Sequence, residues 1–319
     1  MMIAENKKLI ILVGKDGRPS MRGVYSKLTS NAELWVRRRL VGRRTGRIRE
    51  WFRKYTGWNS NAFTKVKINE SDFTNKIIIR WGNRIEIDTT NSIVYNTASA
   101  IAKATDKKES RRILAEANIS VPRAVTPQCN NINYPVIARP RIHAKGRNFI
   151  VLRDVNQFYN HWIVNQEDWY YSEFVDKVAE YRVHVGSGRV LNLLEKPNPG
   201  NGQIAWNRAI NGEAFNNIRW RDYNGPVAYE AIKAVNALKL TFAGVDVIVD
   251  REGKPYVLEL NTSPTLNSSE YSMSRYAKYF DWLAKTNEKR ENWPLKEFKN
   301  PSNYAWHEYH FEDREPNNN

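Results

Sequence analysis

Two kinds of hydrophobic patterning divide the chain. Lys8 to Val13 and Lys76 to Arg80 are unbroken aliphatic runs, the pattern of parallel strands buried on both faces, and Gly14 and Gly17 turn the chain after the first. Thr97 to Ala104 and Asp106 to Ala117 carry their apolar residues at helical spacing. In the second of these, Asp106 and Glu109 stand as a capping box, Ile113, Leu114 and Ala117 share a face, and Asn118 is placed to end the helix in the left-handed conformation. Val121-Pro122 then makes the exit extended. From about residue 125 the pattern shortens to strands and turns: Tyr134 to Arg139, Phe149 to Leu152, Trp169 to Phe174, Tyr181 to Val185 and Val190 to Leu194, with Gly186 to Gly188 as a tight hairpin turn. Gly225-Pro226 opens a helix with Val227, Ala231, Ile232, Val235 and Leu238 on one side. Two strands, Gly244 to Val249 and Tyr256 to Leu260, are joined by the turn from Asp250 to Lys254, and Ser269 to Lys285 reads as a last helix.

Helices alternating with strands predict an α/β protein, and 319 residues at roughly 150 per domain predict about two domains. Charge changes this picture in one place. Lys plus Arg number 50 against 34 for Asp plus Glu, a net charge of +16. About half of that excess lies between Trp35 and Lys54, where Arg37, Arg38, Arg39, Arg43, Arg44, Arg47, Arg49, Arg53 and Lys54 face the single acid Glu50. Lying between two strands, this Arg-rich segment reads as an insertion. Its interleaved Trp35, Leu40, Ile48, Trp51 and Phe52 leave three readings open: a docking surface for nucleic acid or another polyanion, an amphipathic helical pair packed on the core, and contact with a membrane surface. The lone Cys129 excludes a disulfide framework and a thiolate zinc site, and fits a reducing compartment. No apolar run near the start is long enough for a signal peptide or a membrane span, which predicts a soluble, cytoplasmic protein.

The candidate chemistry sits at the hairpin around Asp250. Side chains alternate along strands, so Glu259 and Asn261 project to one face, with Asp246 on the partner strand. Each acid lies within an apolar strand, Asp246 in Gly244 to Val249 and Glu259 in Val257 to Leu260, where an unpaired charge is costly. Three hard oxygen donors converging in this way suit magnesium, with coordination sites left for water and nucleotide phosphates. The plainer reading is a solvated hairpin with ordinary surface acids.

Gly244-Val245-Asp246-Val247 followed by Glu259-Leu260-Asn261-Thr262-Ser263-Pro264 resembles the signature of the ATP-grasp carboxylate–amine ligases. The resemblance extends upstream. Asp106-Lys107 and the exit Ile119-Ser120-Val121-Pro122 look like the segment leading into the grasp domain, Tyr134 to Pro140 is similar to the family's strand before the phosphate loop, and Ser172-Glu173-Phe174-Val175 to its hinge. Glu180 to Val185 resembles the acidic-x-Arg strand of ribosomal-protein glutamate ligases. The implied fold is ATP-grasp, two α+β lobes clamping ATP, preceded by a small α/β domain. The implied boundaries are 1–95 for the N-terminal domain, 96–287 for the grasp domain and 288–319 for an extension whose Asn-rich end is expected to be disordered.

By the same resemblance, Asp246, Glu259 and Asn261 would hold two magnesium ions, with manganese as an alternative, against the phosphates of ATP. Glu173, Phe174 and Val175 would meet the adenine edge and Glu180 the ribose. Lys145, Gly146 and Arg147 would belong to a loop over the phosphates, and Arg182, Lys196 and Asn207 would face the transferred phosphoryl and the acyl group. One departure is Arg139, which stands where the family usually has a phosphate-binding lysine and exchanges a compact ammonium for a bidentate fork. The implied reaction joins a carboxylate substrate to an amine substrate, either of which is a peptide, an amino acid or a protein end, through an acylphosphate. Ser268 or Ser269 resembles the carboxylate-binding position of D-alanine:D-alanine ligases. The rivals are a polyanion-binding protein built on residues 35–54, a nucleotide-binding protein without turnover, and a kinase on the same fold.

Overall fold

The computed structural model describes residues 7–14, 18–36, 73–142, 149–198, 204, 215–218, 224–266 and 269–286. The first aliphatic run forms β1 (Leu9–Val13), followed by α1 (Arg18–Tyr25) and β2 (Ala32–Val36); the second run forms β3 (Ile77–Trp81), and β4 (Ile93–Tyr95) follows. These strands make one parallel sheet in the order β2-β1-β3-β4. Its two faces are both covered, as unbroken apolar strands require. Leu9, Ile11, Val13, Ile77, Ile79 and Trp81 pack with Met21 and Val24 of α1, while Ile10, Leu12 and Ile78 pack with Phe73 on the other side.

Trp35 belongs to this sheet rather than to the basic segment. Its indole meets Phe73 edge-on at 4.9 Å and its Nε1 donates to Glu33 at 2.9 Å, so this ring is committed to packing. The rest of the Arg-rich segment, from Arg37 to Lys54, lies outside the described residues.

Two helices lead out of the sheet. α2 (Ala98–Thr105) is capped by Thr97, which accepts from the Ala100 N–H, and α3 (Lys107–Glu116) by Asp106, which accepts from Lys108 and Glu109. The expected capping box is half formed: Glu109 pairs with Arg112 instead of reaching back, because the Asp106 N–H already donates to Ala102 at the end of α2. Asn118 adopts the left-handed conformation, φ 55°, as its position predicted.

A three-stranded antiparallel sheet follows, in the order β6-β5-β7, from β5 (Val136–Pro140), β6 (Ile150–Leu152) and β7 (Trp169–Glu173), with α4 (Val155–Asn165) across one face. Phe158 of α4 seals a core with Val136, Ala138, Leu152 and Tyr171. The alternation of β5 and β7 therefore turns Arg139 and Tyr170, which are paired in register, to the face away from α4.

The larger sheet is antiparallel, in the order β10-β9-β8-β11-β12. Its strands are β8 (Lys177–Gly186), β9 (Arg189–Lys196), β10 (Asn216–Asn217), β11 (Phe242–Asp250) and β12 (Pro255–Asn261). Ser187 and Gly188 both take positive φ between β8 and β9, the geometry of a two-residue hairpin turn. α5 (Gly225–Ala237), capped by Asn224, buries Val227, Ala231 and Val235 against Val183, Val185, Leu193, Val245 and Val247 on one face of this sheet. The last helix, α6 (Glu270–Thr286), brings Tyr276, Phe280 and Leu283 onto the core of the parallel sheet, together with Leu191 and Phe242 of the antiparallel one. It thereby ties the two sheets together.

Candidate active site

With α5 covering one face, the alternation of β8, β9, β11 and β12 sends Glu180, Arg182, Lys196, Asp246 and Glu259 to the other. Asp246 stands directly opposite Glu259 on β12 and opposite Arg182 on β8; one step along, Gly244 stands opposite Asn261 and His184, and Glu180 opposite Lys196. A bulge on the β12 side of Asp246 sets this register: Asp246 pairs with Glu259, while Val247 pairs with Val257. The three residues proposed from strand alternation are thus neighbours on one surface.

The carboxylates are paired with cations. Asp246 accepts a two-pronged contact from Arg182, Nε at 2.7 Å and Nη2 at 2.8 Å, and lies 3.3 Å from the Lys196 ammonium. Glu259 accepts from Lys107 at 2.7 Å and, at 3.4 Å, from the Asn261 amide. Glu180 sits between Lys177 and Lys196 and bonds to both. Burial alone would push Asp246 and Glu259 toward the neutral acid. For Asp246 the charges of Arg182 and Lys196 outweigh that, and for Glu259 those of Lys107, Arg139 and Arg182 do, so both pKa values lie below the ordinary carboxylate range. Lys177 moves the other way: burial lowers its pKa, and Glu180 only partly offsets this. Around three acids, Glu180, Asp246 and Glu259, stand six cations: Lys107, Arg111, Arg139, Lys177, Arg182 and Lys196. The surplus of positive charge in a partly buried cleft suits an acceptor-rich anion.

Phe215 adds a lid of a different kind. Its ring lies 5.3 Å from the Arg182 guanidinium carbon and 5.8 Å from the Lys196 ammonium, so the two cations that touch Asp246 share one aromatic face.

The remaining expected residues are spread around this surface. Glu173, at the end of β7, follows the face of Tyr171 toward α4; its carboxylate pairs with Arg123 and accepts from the Asn133 N–H at 3.4 Å. The Phe174 N–H donates to the Pro135 carbonyl at 3.1 Å, and Val175 is half-buried just beyond. Arg139 is half-buried, near enough for its charge to lower the pKa of Glu259. Lys145, Gly146, Arg147, Asn207 and Ser268 lie outside the described residues. Ser269 is buried at the start of α6, where its hydroxyl donates toward Asn217 at 3.4 Å and meets Ser272 at 2.9 Å.

Sequence reasoning passed over Lys107, Arg111, Lys177, Tyr170 and Phe215. Lys107 and Arg111 carried a usable signal, two cations one helical turn apart immediately after an N-cap aspartate. Phe215 carried none, because its place depends on how the chain returns to the sheet. Among the described residues no group of three or more His, Cys, Asp and Glu side chains converges as a metal centre; the acidic pair is completed by an amide.

The sheets, their order and the facing lobes define an ATP-grasp fold, and solved structures of that class superimpose on most of the chain. D-alanine–D-alanine ligase from Bacillus anthracis, complexed with ATP, matches with a TM-score of 0.53 and 14% identity over 87% of this chain and 94% of that one. The ATP-grasp ligase PsnB, complexed with its precursor peptide PsnA2 and AMPPNP, gives 0.55 and 14% over 89% and 100%. An L-amino acid ligase from Bacillus licheniformis gives 0.51 and 14% over 86% and 70%. Within this fold, the family model described as the RimK-like ATP-grasp domain matches residues 173–278, from the end of β7 into α6. No curated protein sequence matches the chain significantly.

Proposed function

We propose that the protein is an ATP-dependent carboxylate–amine ligase that forms an amide or peptide bond through an acylphosphate. The observation that carries this reading is the in-register pair Asp246–Glu259, ionised by its neighbours, with Asn261 one step along the same face and Arg182 and Lys196 beside it. In the reaction, a carboxylate oxygen of the acyl donor attacks the γ-phosphorus of ATP and ADP leaves. The amine nitrogen then attacks the acyl carbon, phosphate leaves, and the nitrogen gives up a proton. A free carboxylate is too poor an electrophile for the second step alone, which is why the first is needed.

The donor set fits magnesium. Two ionised carboxylates and an amide oxygen are hard ligands, and magnesium commonly takes few protein carboxylates while keeping sites for phosphate. Asp246, Glu259 and Asn261 would hold it, and when bound it would neutralise charge on the nucleotide phosphates. The chain's own residues supply the rest. Arg182 and Lys196 are held in place by Asp246 and Glu180, so their charges are already oriented toward an incoming phosphoryl or carboxylate oxygen. Phe215, over both cations, would help keep water from the place where an acylphosphate would hydrolyse. Arg139, paired across β5 and β7 with Tyr170, offers a guanidinium to the phosphate chain from the other lobe. The structural neighbours act in their own cases on amino acids or a precursor peptide, which supports an amino acid or peptide as one substrate here.

The test is ADP release with panels of amino acids and peptides as acyl donor and amine, followed by the mass of the product. ADP formation that requires both substrates, with a product mass equal to their sum less one water, supports the reading. Brisk ADP release with phosphate retained on a hydroxyl would make the protein a kinase.

A further inference from the structure

Resting on the reading just given, we infer that Arg111 and Tyr170 form a second phosphate seat for the nucleotide, across the seam between the two lobes. Arg111 lies one turn beyond Lys107 on α3 and is 6% exposed; Tyr170, on β7 of the opposite lobe, is 5% exposed. The guanidinium is anchored by its Nε, which donates to the Leu258 carbonyl at 2.9 Å, directly beside Glu259. Its carbon lies 5.6 Å from the centre of the Tyr170 ring. Arg111 Nη1 and the Tyr170 hydroxyl are both buried, and neither makes a hydrogen bond of ordinary geometry among the described residues.

Among the described residues Arg111 has no carboxylate of its own. The nearest acid, Glu259, is bonded to Lys107, and the other neighbouring charge, Arg139, is positive. Burial accordingly lowers the Arg111 pKa, with Arg139 adding to the effect and Tyr170, whose phenol is close enough to interact with the guanidinium, and Glu259 opposing it. A buried guanidinium answered by one neutral carbonyl and a phenol is an arrangement short of negative charge. Every group that the seat still offers is a donor: Nη1–H, the Tyr170 O–H and the Arg139 fork paired in register with Tyr170. An ammonium or a neutral amide would bring more donors or too few acceptors, whereas a phosphate brings oxygens and charge together. The location adds a constraint. Arg111 is fixed to β12 of the large sheet and Tyr170 to the small one, so a ligand held by both joins the two lobes. The seat also accounts for Arg139 in place of lysine, because a fork paired with Tyr170 can share a phosphate with the Arg111 fork where a lysine would present a single point of charge.

The experiment uses the full chain and two probes, a fluorescent ADP analogue and inorganic pyrophosphate as its competitor, in the presence of magnesium. Arg111→Met should weaken both by about tenfold, the size of one lost charge-assisted hydrogen bond, and Tyr170→Phe, which keeps the ring, by about threefold. Circular dichroism and the urea midpoint establish that each variant is folded. If Arg111→Met does not fold, Arg111→Lys replaces it, with an expected loss between those two values. Folded variants that bind ADP and pyrophosphate within about twofold of wild type would overturn the seat and show the pair to be packing alone, satisfied by a buried water. The two readings fail separately. Wild-type ligation with unaltered pyrophosphate binding in the variants removes the seat only, while variant-sensitive pyrophosphate binding in a protein that joins no carboxylate to an amine keeps the seat and removes the ligase.

Discussion

Replacing Asp246 with asparagine should cost far more stability than a surface aspartate would, and the cost should vanish when its partner is removed as well. Asp246 is 5% exposed and faces the Arg182 fork at 2.7 and 2.8 Å and Lys196 at 3.3 Å. The substitution keeps the shape and removes the charge, leaving Arg182 buried with no carboxylate in contact. Breaking a buried ion pair from one side costs about 3–5 kcal/mol, a large part of a typical total of about 5–15 kcal/mol. Lys196 softens the loss, because Glu180 still holds it, so the lower end, about 3 kcal/mol, is expected. Arg182→Met alone should cost a similar amount. The double variant Asp246→Leu with Arg182→Met should lie within about 2 kcal/mol of wild type, since a buried pair replaced by apolar groups of like volume is often near neutral. The assay is urea unfolding followed by tryptophan fluorescence and circular dichroism, which must give coincident transitions before free energies are compared. With Asp246→Leu also measured singly to close the cycle, costs of Asp246→Leu and Arg182→Met that add to within about 0.5 kcal/mol in the double variant would refute the pairing. A functional corollary is that magnesium alone competes poorly with Arg182 and Lys107 for the carboxylates, so magnesium with ATP should raise the midpoint and magnesium without nucleotide should not.

Glu259→Gln should leave the fold intact and lower magnesium-dependent ATP turnover by on the order of 100-fold or more, because phosphate charge would lack a full set of cation ligands; wild-type turnover would remove Glu259 from the site. Gly82→Ala should destabilise more than Gly253→Ala although both residues have positive φ: a Cβ at Gly82 would fall 2.7 Å from the Ser263 hydroxyl, whereas one at Gly253 meets nothing within 4 Å among the described residues. Costs of about 1 kcal/mol at Gly253 and about 3 kcal/mol at Gly82, read from urea midpoints, are expected, and equal costs would contradict the close packing of β3 on the residues after β12. His184 is fully buried, and burial, reinforced by the charge of Arg182, lowers its pKa from 6.5 to about 3. It therefore stays neutral in the fold while the unfolded chain takes up a proton below pH 6.5, so stability is whole above that pH and falls by up to about 1.4 kcal/mol per pH unit as pH drops toward 3. His184→Gln should flatten this slope between pH 6 and 4.5, and an unchanged slope would show that His184 does not carry it.

Much of this was legible in the residues because the relevant periods are short. A run such as Leu9 to Val13 reads as a doubly covered strand, and the alternation of Gly244 to Val249 against Val257 to Leu260 already put Asp246, Glu259 and Asn261 on one face. Asn118 and the Ser187-Gly188 turn were readable for the same reason, since each is decided by one or two residues. The misses are long-range. α1, β2, β4 and α4 are short or weakly periodic elements fixed by what they pack on, as Phe158 of α4 is by Val136 and Tyr171. The partners of the acids could not be read either: that Lys107 reaches Glu259 across a separation of 152 positions, and Arg111 the Leu258 carbonyl across 147, depends on how α3 lies along β12. Glu173 is a motif position legible in sequence, but its pairing with Arg123, 50 positions away, was not.

The central claim is that ATP activates a carboxylate, and hydroxylamine tests it most directly. With the true amine absent, this small nucleophile captures an acylphosphate as a hydroxamate. The protein is incubated with magnesium, ATP, hydroxylamine and a panel of amino acids and peptides carrying free carboxylates, and the hydroxamate is measured against ADP release. The account predicts hydroxamate that requires both ATP and one class of carboxylate, matches ADP in amount, and falls in Arg182→Ala even where nucleotide is still bound. ADP release without hydroxamate, accompanied by a stable phosphate ester on a substrate hydroxyl, would contradict it.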